Sequence, residues 1–256
     1  MKRLASILLF SFFLLSQSLN AQVGDIKGAS GNSKGGFLSD GATSGDPMLG
    51  LCCNDLFIDL FFDVIVFGGL ELHRLYMDKQ YDIPRITSIE FMPQFAFHPP
   101  STYFMIPRIR GNWGLFSTDF RYNFMLETSL LNGADIYKTI DWQIIELNLV
   151  VTENVNFRIG TGFMYEDFSR TYFNENTAAL DFYTKDDALK IGGEFRYAFD
   201  YENNVVPRTE GSLNLDYRIF NFNALSGYVN IGCLYQNYYN EVDLWSLKGG
   251  LSFKFQ

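Results

Sequence analysis

The chain has 256 residues, with 20 basic against 29 acidic side chains and a formal charge of −9. That acidity argues against nucleic acid as a partner. Its three cysteines, Cys52, Cys53 and Cys233, are too few for a disulfide framework, so stability must come from a core or a membrane. Aromatic residues reach 17%, and where they stand along the chain matters more than their number.

At the start, Lys2 and Arg3 precede an apolar run from Leu4 to Leu15, followed by Ser16-Gln17-Ser18 and Leu19-Asn20-Ala21. These are the three regions of a secretory signal peptide over residues 1–21, with cleavage expected after Ala21. The apolar run is shorter than the roughly 17–25 residues that span a bilayer as a helix. Without Lys2 and Arg3, 18 basic residues face 29 acidic ones, a formal charge of −11.

From Gly24 to Gly50 eight glycines stand among Ser, Asp and Ala with few large apolar residues, which is too little to offset chain entropy on folding. Residues 22–54 are therefore expected to form a flexible Gly/Ser-rich periplasmic segment. Next, Asp55, Asp59 and Asp63 recur every fourth residue ahead of Gly68-Gly69. This predicts a short amphipathic helix and connector over 55–85, its aspartates a solvated face rather than a cation site. The alternative is a hairpin of two strands, 56–67 and 70–78.

From residue 86 to the end the pattern has period two, the signature of strands with one oily and one polar face. Leu189, Ile191, Phe195, Tyr197 and Phe199 alternate with Lys190, Glu194 and Arg196; Val155, Phe157, Ile159, Phe163 and Tyr165 alternate with Asn156, Arg158 and Glu166. Ten such segments are predicted: 86–98, 102–110, 113–126, 139–151, 154–168, 177–184, 188–200, 210–220, 223–237 and 242–256. Their lengths suit tilted membrane-crossing strands. The links at 111–112, 152–153, 185–187 and 221–222 are short, whereas 127–138, 169–176 and 201–209 read as longer and more polar. Pro93 and Pro107 each remove a ladder hydrogen bond from their strands.

On these alternating segments, and on the final Gly250-Leu251-Ser252-Phe253-Lys254-Phe255-Gln256, the chain resembles bacterial outer-membrane β-barrel proteins over about residues 86–256. The resemblance implies an all-β fold, an antiparallel transmembrane barrel of ten strands, or twelve if the hairpin joins it. It also implies the bacterial cell outer membrane as location, with outer-membrane lipid and the barrel insertion machinery as partners. It is a likeness of architecture and transfers no functional residue.

With lipid outside, the oily face points outward and the polar face into the lumen. The lumen-facing candidates are Glu90, Arg108, Arg110, Asp119, Arg121, Glu146, Arg158, Glu166, Lys190, Glu194, Arg196, Asp216, Arg218, Lys248 and Lys254, nine basic and six acidic. Such charges either pair across strands and fill the lumen or line a small pore with a slight preference for anions. The expected function is a small-solute channel or an envelope and surface interaction module. Two alternatives stand beside it. His98 near Ser101 would suit a lipid hydrolase, though no orienting group or oxyanion donor can be named. A soluble periplasmic barrel binding an apolar ligand would turn the oily face inward, and alternation alone does not distinguish the two. No metal site or cofactor is expected: Cys52-Cys53 lacks the separated ligands a metal needs. Aromatic-rich stretches around Tyr165–Phe173 and Tyr235–Tyr239 read as an interfacial girdle.

Overall fold

The structure, a computed structural model, describes residues 23–34, 87–129, 133–184 and 186–256. The expected signal peptide, the Asp55–Asp59–Asp63 face, the 55–85 connector, Cys52 and Cys53 lie outside the described residues. One helix, α1 (Val23–Lys34), precedes ten strands: β1 (Thr87–His98), β2 (Thr102–Trp113), β3 (Phe116–Ser129), β4 (Gly133–Val151), β5 (Val155–Glu166), β6 (Thr171–Tyr183), β7 (Leu189–Asp200), β8 (Val205–Phe222), β9 (Leu225–Tyr238) and β10 (Val242–Phe255). Each strand pairs antiparallel with its chain neighbours, and β1 pairs with β10, which closes the ring. The ring closes at ten, so the twelve-strand alternative has no place in it. Among the described residues no helix is long and apolar enough to cross a membrane.

The facing follows from the pleat, which sends successive side chains to opposite sides. Every strand turns large apolar groups outward: Phe95, Ile109, Phe120, Trp142, Ile159, Leu180, Phe195, Leu213, Ile231 and Leu247, one from each strand in turn, are 36–62% exposed. The partners in alternation, among them Arg108, Asp119, Arg196 and Glu210, are buried inside. A continuous oily belt on every strand is untenable in water, where large exposed apolar patches drive association. Around a charged interior it makes the molecule a membrane-embedded barrel, because only lipid is a good solvent for that outer face. The soluble barrel with an oily interior is thereby excluded.

Aromatic side chains gather toward the strand ends. Tyr165 and Tyr172 pack with ring centroids 4.7 Å apart, Tyr235 and Trp245 at 4.6 Å, and Phe199 and Tyr201 at 4.8 Å, at the end away from the barrel's two chain ends. Trp113, Phe222 and Phe255 stand exposed at the other. Such belts suit the membrane–water interface.

The strands run further than the alternation predicts, and the loops shrink accordingly. The supposed long links at 127–138, 169–176 and 201–209 reduce to 130–132, 167–170 and 201–204. They are comparable with the links at the opposite end, so loop length does not tell one end from the other. Turns are tightened by left-handed residues at Gly114 (φ 65°), Asn204 (φ 53°), Asn223 (φ 45°) and Asn240 (φ 58°), residue types that tolerate this region. The two prolines are accommodated by local breaks. Pro93 and Pro107 sit opposite each other in the β1–β2 register; pairing of β1 with β10 lapses between Phe91 and Gln94, and pairing of β2 with β3 between Met105 and Arg108.

Candidate functional site: the barrel interior

The interior is layered along the barrel axis. At the end holding the start of β1 and the end of β10, polar pairs fill the space. Asn112 donates to Ser88 at 2.9 Å, Lys190 pairs with Asp216 at 2.7 Å, and Lys254 pairs with Glu90 at 3.8 Å.

The middle layer is an arginine–carboxylate lattice. Arg108 meets Asp119 at 2.5 Å and Glu194 at 2.6 Å, and Arg110 meets Asp119 at 2.7 Å, Glu194 at 3.4 Å and Glu146 at 3.8 Å. Arg158 bridges Asp181 (2.5 Å) and Glu146 (3.7 Å), and Arg196 bridges Glu194 (2.6 Å) and Glu175 (3.2 Å). Arg208 joins Glu175 (2.5 Å) to Asp141 (2.8 Å), and Arg121 joins Asp141 (2.7 Å) to Glu210 (2.5 Å). The chain of contacts is unbroken from Asp181 to Glu210. Three of its bonds cross the lumen directly: β2 to β7 through Arg108–Glu194 and Arg110–Glu194, and β3 to β8 through Arg121–Glu210, strands at opposite points of the ring. Buried charges at such density hold only when each is paired, since breaking a buried pair leaves an uncompensated ion.

Of the fifteen candidates from the alternation, thirteen are buried, and Lys190 and Arg218 are half-buried. Arg108, Arg110, Asp119, Arg121, Glu146, Arg158, Glu194 and Arg196 meet in the lattice; Glu90, Lys190, Asp216 and Lys254 belong to the polar end layer. Lys248 is buried, Glu166 lies in the third layer described below, and Arg218 is only half-buried, opposite Tyr228. Sequence reasoning missed five charged members: Asp141, Glu175, Asp181, Arg208 and Glu210. Four are acids, so among the described residues eight basic and ten acidic side chains are buried, with Lys190 and Arg218 half-buried, and the expected basic excess with its anion preference disappears.

Asp141 escaped because β4 carries an irregularity between Trp142 and Ile145. Ile144 and Ile145 both avoid the interior, so Asp141 and Gln143 are inward before the bulge and Glu146 and Asn148 after it. One phase of alternation fits only half of that strand. Glu175 and Arg208 had been placed in loops that are strand. Inward alternation continued back from Thr177 and from Ser212 would have reached both.

The third layer, at the mouth away from the barrel's chain ends, is apolar. Phe104, Ile106, Met125, Tyr137, Leu234, Tyr238 and Leu244 are buried in one cluster with Val23 and Ile26 of α1. The interior is therefore not polar throughout, as alternation had implied. Acidic groups stand in the wall of this cup. Glu127 accepts the Val23 backbone N–H, and Asp135 pairs with the Lys27 ammonium, which also lies 5.5 Å over the Phe168 ring. Glu166 accepts from Ser30 Oγ at 2.8 Å and from the Tyr137 hydroxyl at 2.6 Å, with the Tyr239 hydroxyl at 2.9 Å.

Residues 22–54 were expected to be a flexible periplasmic segment. Residues 23–34 instead form α1, and α1 sits in the mouth opposite the start of β1 and the end of β10. Gly24, Gly28 and Gly31 cost roughly 1 kcal/mol each relative to Ala in a helix. The burial of Val23 and Ile26 in the cup offsets this, a tertiary gain that composition cannot show.

His98 and Ser101, the pair that suggested hydrolysis, are not hydrogen-bonded to each other. His98 Nδ1 donates to the Trp245 carbonyl at 2.7 Å, and Nε2 has no hydrogen-bond partner. Cys233 faces outward beside Leu213 and Leu247, half-buried. Among the described residues no cluster of three or more His, Cys, Asp or Glu is arranged for a metal.

The closed ladder, the outward apolar belt and the paired interior charges define an antiparallel transmembrane β-barrel whose architecture resembles bacterial outer-membrane barrel proteins. No family model matches the chain, and no curated protein does. Solved structures that align with it include the N-terminal β-barrel domain of Pseudomonas aeruginosa OprF, at 10% identity and TM-score 0.31, covering 66% of this chain and 98% of that one. The KdgM porin gives the same values, and the de novo designed TMB2.3 aligns at 11% identity and TM-score 0.30, over 66% of this chain and 95% of that one. At scores this low the likeness carries no weight for function.

Proposed function

We propose that the protein is an outer-membrane barrel of porin-like architecture whose lumen is closed, and that it serves as an interaction module of the cell envelope rather than as an open solute channel. The observation that supports this reading is the lattice that ties opposite walls together through Arg108–Glu194 and Arg121–Glu210. An ion crossing the barrel would have to part pairs whose members are each less than a tenth exposed, and the separated charges would find no bulk water to replace their partners. With both barrel ends on the periplasmic side, as an even strand count allows, the apolar cup faces outward from the cell.

Planar-bilayer recording tests this reading. Purified, folded protein is expected to give no discrete conductance steps, whereas Glu194→Gln combined with Glu210→Gln, which loosens all three cross-lumen bonds, is expected to give small ones. Steps from the unmodified protein would refute the closed-module reading in favour of the channel.

A further inference from the structure

The cup at the outer mouth differs from every other part of the interior: its floor is apolar, and the acids in its wall meet α1 instead of the arginine lattice. Glu127, Asp135 and Glu166 each take one group from α1, respectively the Val23 amide, the Lys27 ammonium and the Ser30 hydroxyl. Among the described residues Glu166, fully buried, has no lysine or arginine in ion-pair contact, and hydroxyl groups alone satisfy it. A buried carboxylate held in this way is matched to incoming donors and cations.

We propose that this cup is a binding site for a short amphipathic helix carrying a lysine, and that α1 is its occupant within the chain, which deepens the interaction-module reading and rests on it. The recognition pattern is legible in α1. Val23, Ile26 and Ser30 fall at positions i, i+3 and i+7, on one stripe that is buried in the cup, and Lys27 stands beside that stripe. Grooves that take helices read anchors at this spacing. Gly24, Gly28 and Gly31 are exposed on the other side, so α1 owes its helicity to docking rather than to its own propensity. A segment ordered only by its site can leave it and be replaced by another of the same pattern. Tyr239 adds a fixed contact. It holds a left-handed backbone (φ 55°), unusual for a bulky residue, and its hydroxyl lies 3.0 Å from Ser30 Oγ and 2.9 Å from Glu166.

The test uses the full-length protein in detergent micelles and a fluorescent synthetic peptide of residues 23–34, followed by anisotropy. Ile26→Asp in the protein places a carboxylate in the apolar floor and expels α1. A second variant, Ser30→Glu, expels it by repulsion from Glu166 should the first fail to fold, and heat-modifiable migration confirms folding of each. The emptied barrel is expected to bind the peptide about tenfold or more tightly than the unmodified protein, whose cup is already occupied. Binding should fall when the peptide carries Lys27→Glu, and when the emptied barrel also carries Glu166→Gln. Absence of binding by a folded, emptied barrel would overturn the proposal, as would equal affinity with and without α1 docked or indifference to the lysine. Such a failure with a non-conducting barrel refutes the cup alone, whereas conductance by the unmodified protein refutes the module reading itself.

Discussion

Phe195 and Glu194 are adjacent in the chain and live in different solvents. Phe195 is 50% exposed on the outer face, and Glu194 lies inside within reach of Arg108, Arg110, Arg158 and Arg196. Phe195→Arg is expected to destabilise the barrel by about 2–4 kcal/mol if it lies at the bilayer midplane. From alternation alone, Glu194→Gln would read as a mild change of a lumen residue. In the lattice it strips a charge from four arginines, and removing one member of a buried ion pair costs about 3–5 kcal/mol. Urea titration of folding into lipid vesicles measures both; a neutral Glu194→Gln would show that the lattice charges are not mutually dependent. Gly162 gives a purely steric case. A Cβ there would lie 1.9 Å from the Trp142 carbonyl, at the bulge of β4. Gly162→Ala is therefore expected to cost about 1–3 kcal/mol in the same titration, as overpacking does, whereas Gly211→Ala, with nothing within 4 Å, should be neutral.

At the scale of elements, period two made the strands legible because a barrel wall has different solvents on its two faces. It found ten segments, each of which overlaps one strand of the ring. It failed where the period breaks or where polarity does not mark the face. The irregularity between Trp142 and Ile145 hid Asp141; polar strand ends such as Thr171–Asn176 and Val205–Thr209 looked like loops; the inward Phe104 and Ile106 broke the rule of a polar lumen. α1 was illegible for a different reason, since its order comes from a cup assembled by residues far away in the chain. Burial of an isoleucine is worth about 1.5–3 kcal/mol, so Ile26→Asp should raise the undocked population of α1 by roughly 10- to 100-fold. Trypsin cleavage after Lys27 in the folded protein reports that population. An unchanged cleavage rate would mean that α1 is not held by the cup.

For the molecule as a whole, the belt of apolar side chains and the balanced charged interior are two consequences of one arrangement, with lipid outside and paired ions within. An even strand count puts the start of β1 and the end of β10 on one side, and the proposed function takes that side as periplasmic, with the cup facing outward. A single cysteine at Asn203, in the 201–204 link on the cup side, with the native cysteines replaced by serine, is expected to react with a membrane-impermeant maleimide on intact cells. Protection of that cysteine until the cells are opened would place the cup on the periplasmic side.

The central claim, that lipid is the solvent of the outer face, is tested most directly by fractionating cells that express the protein. The barrel is expected in the outer-membrane fraction, resistant to extraction by carbonate and high salt, and to migrate differently on detergent gels before and after boiling. Recovery in the soluble periplasmic fraction, with the same migration before and after boiling, would contradict it.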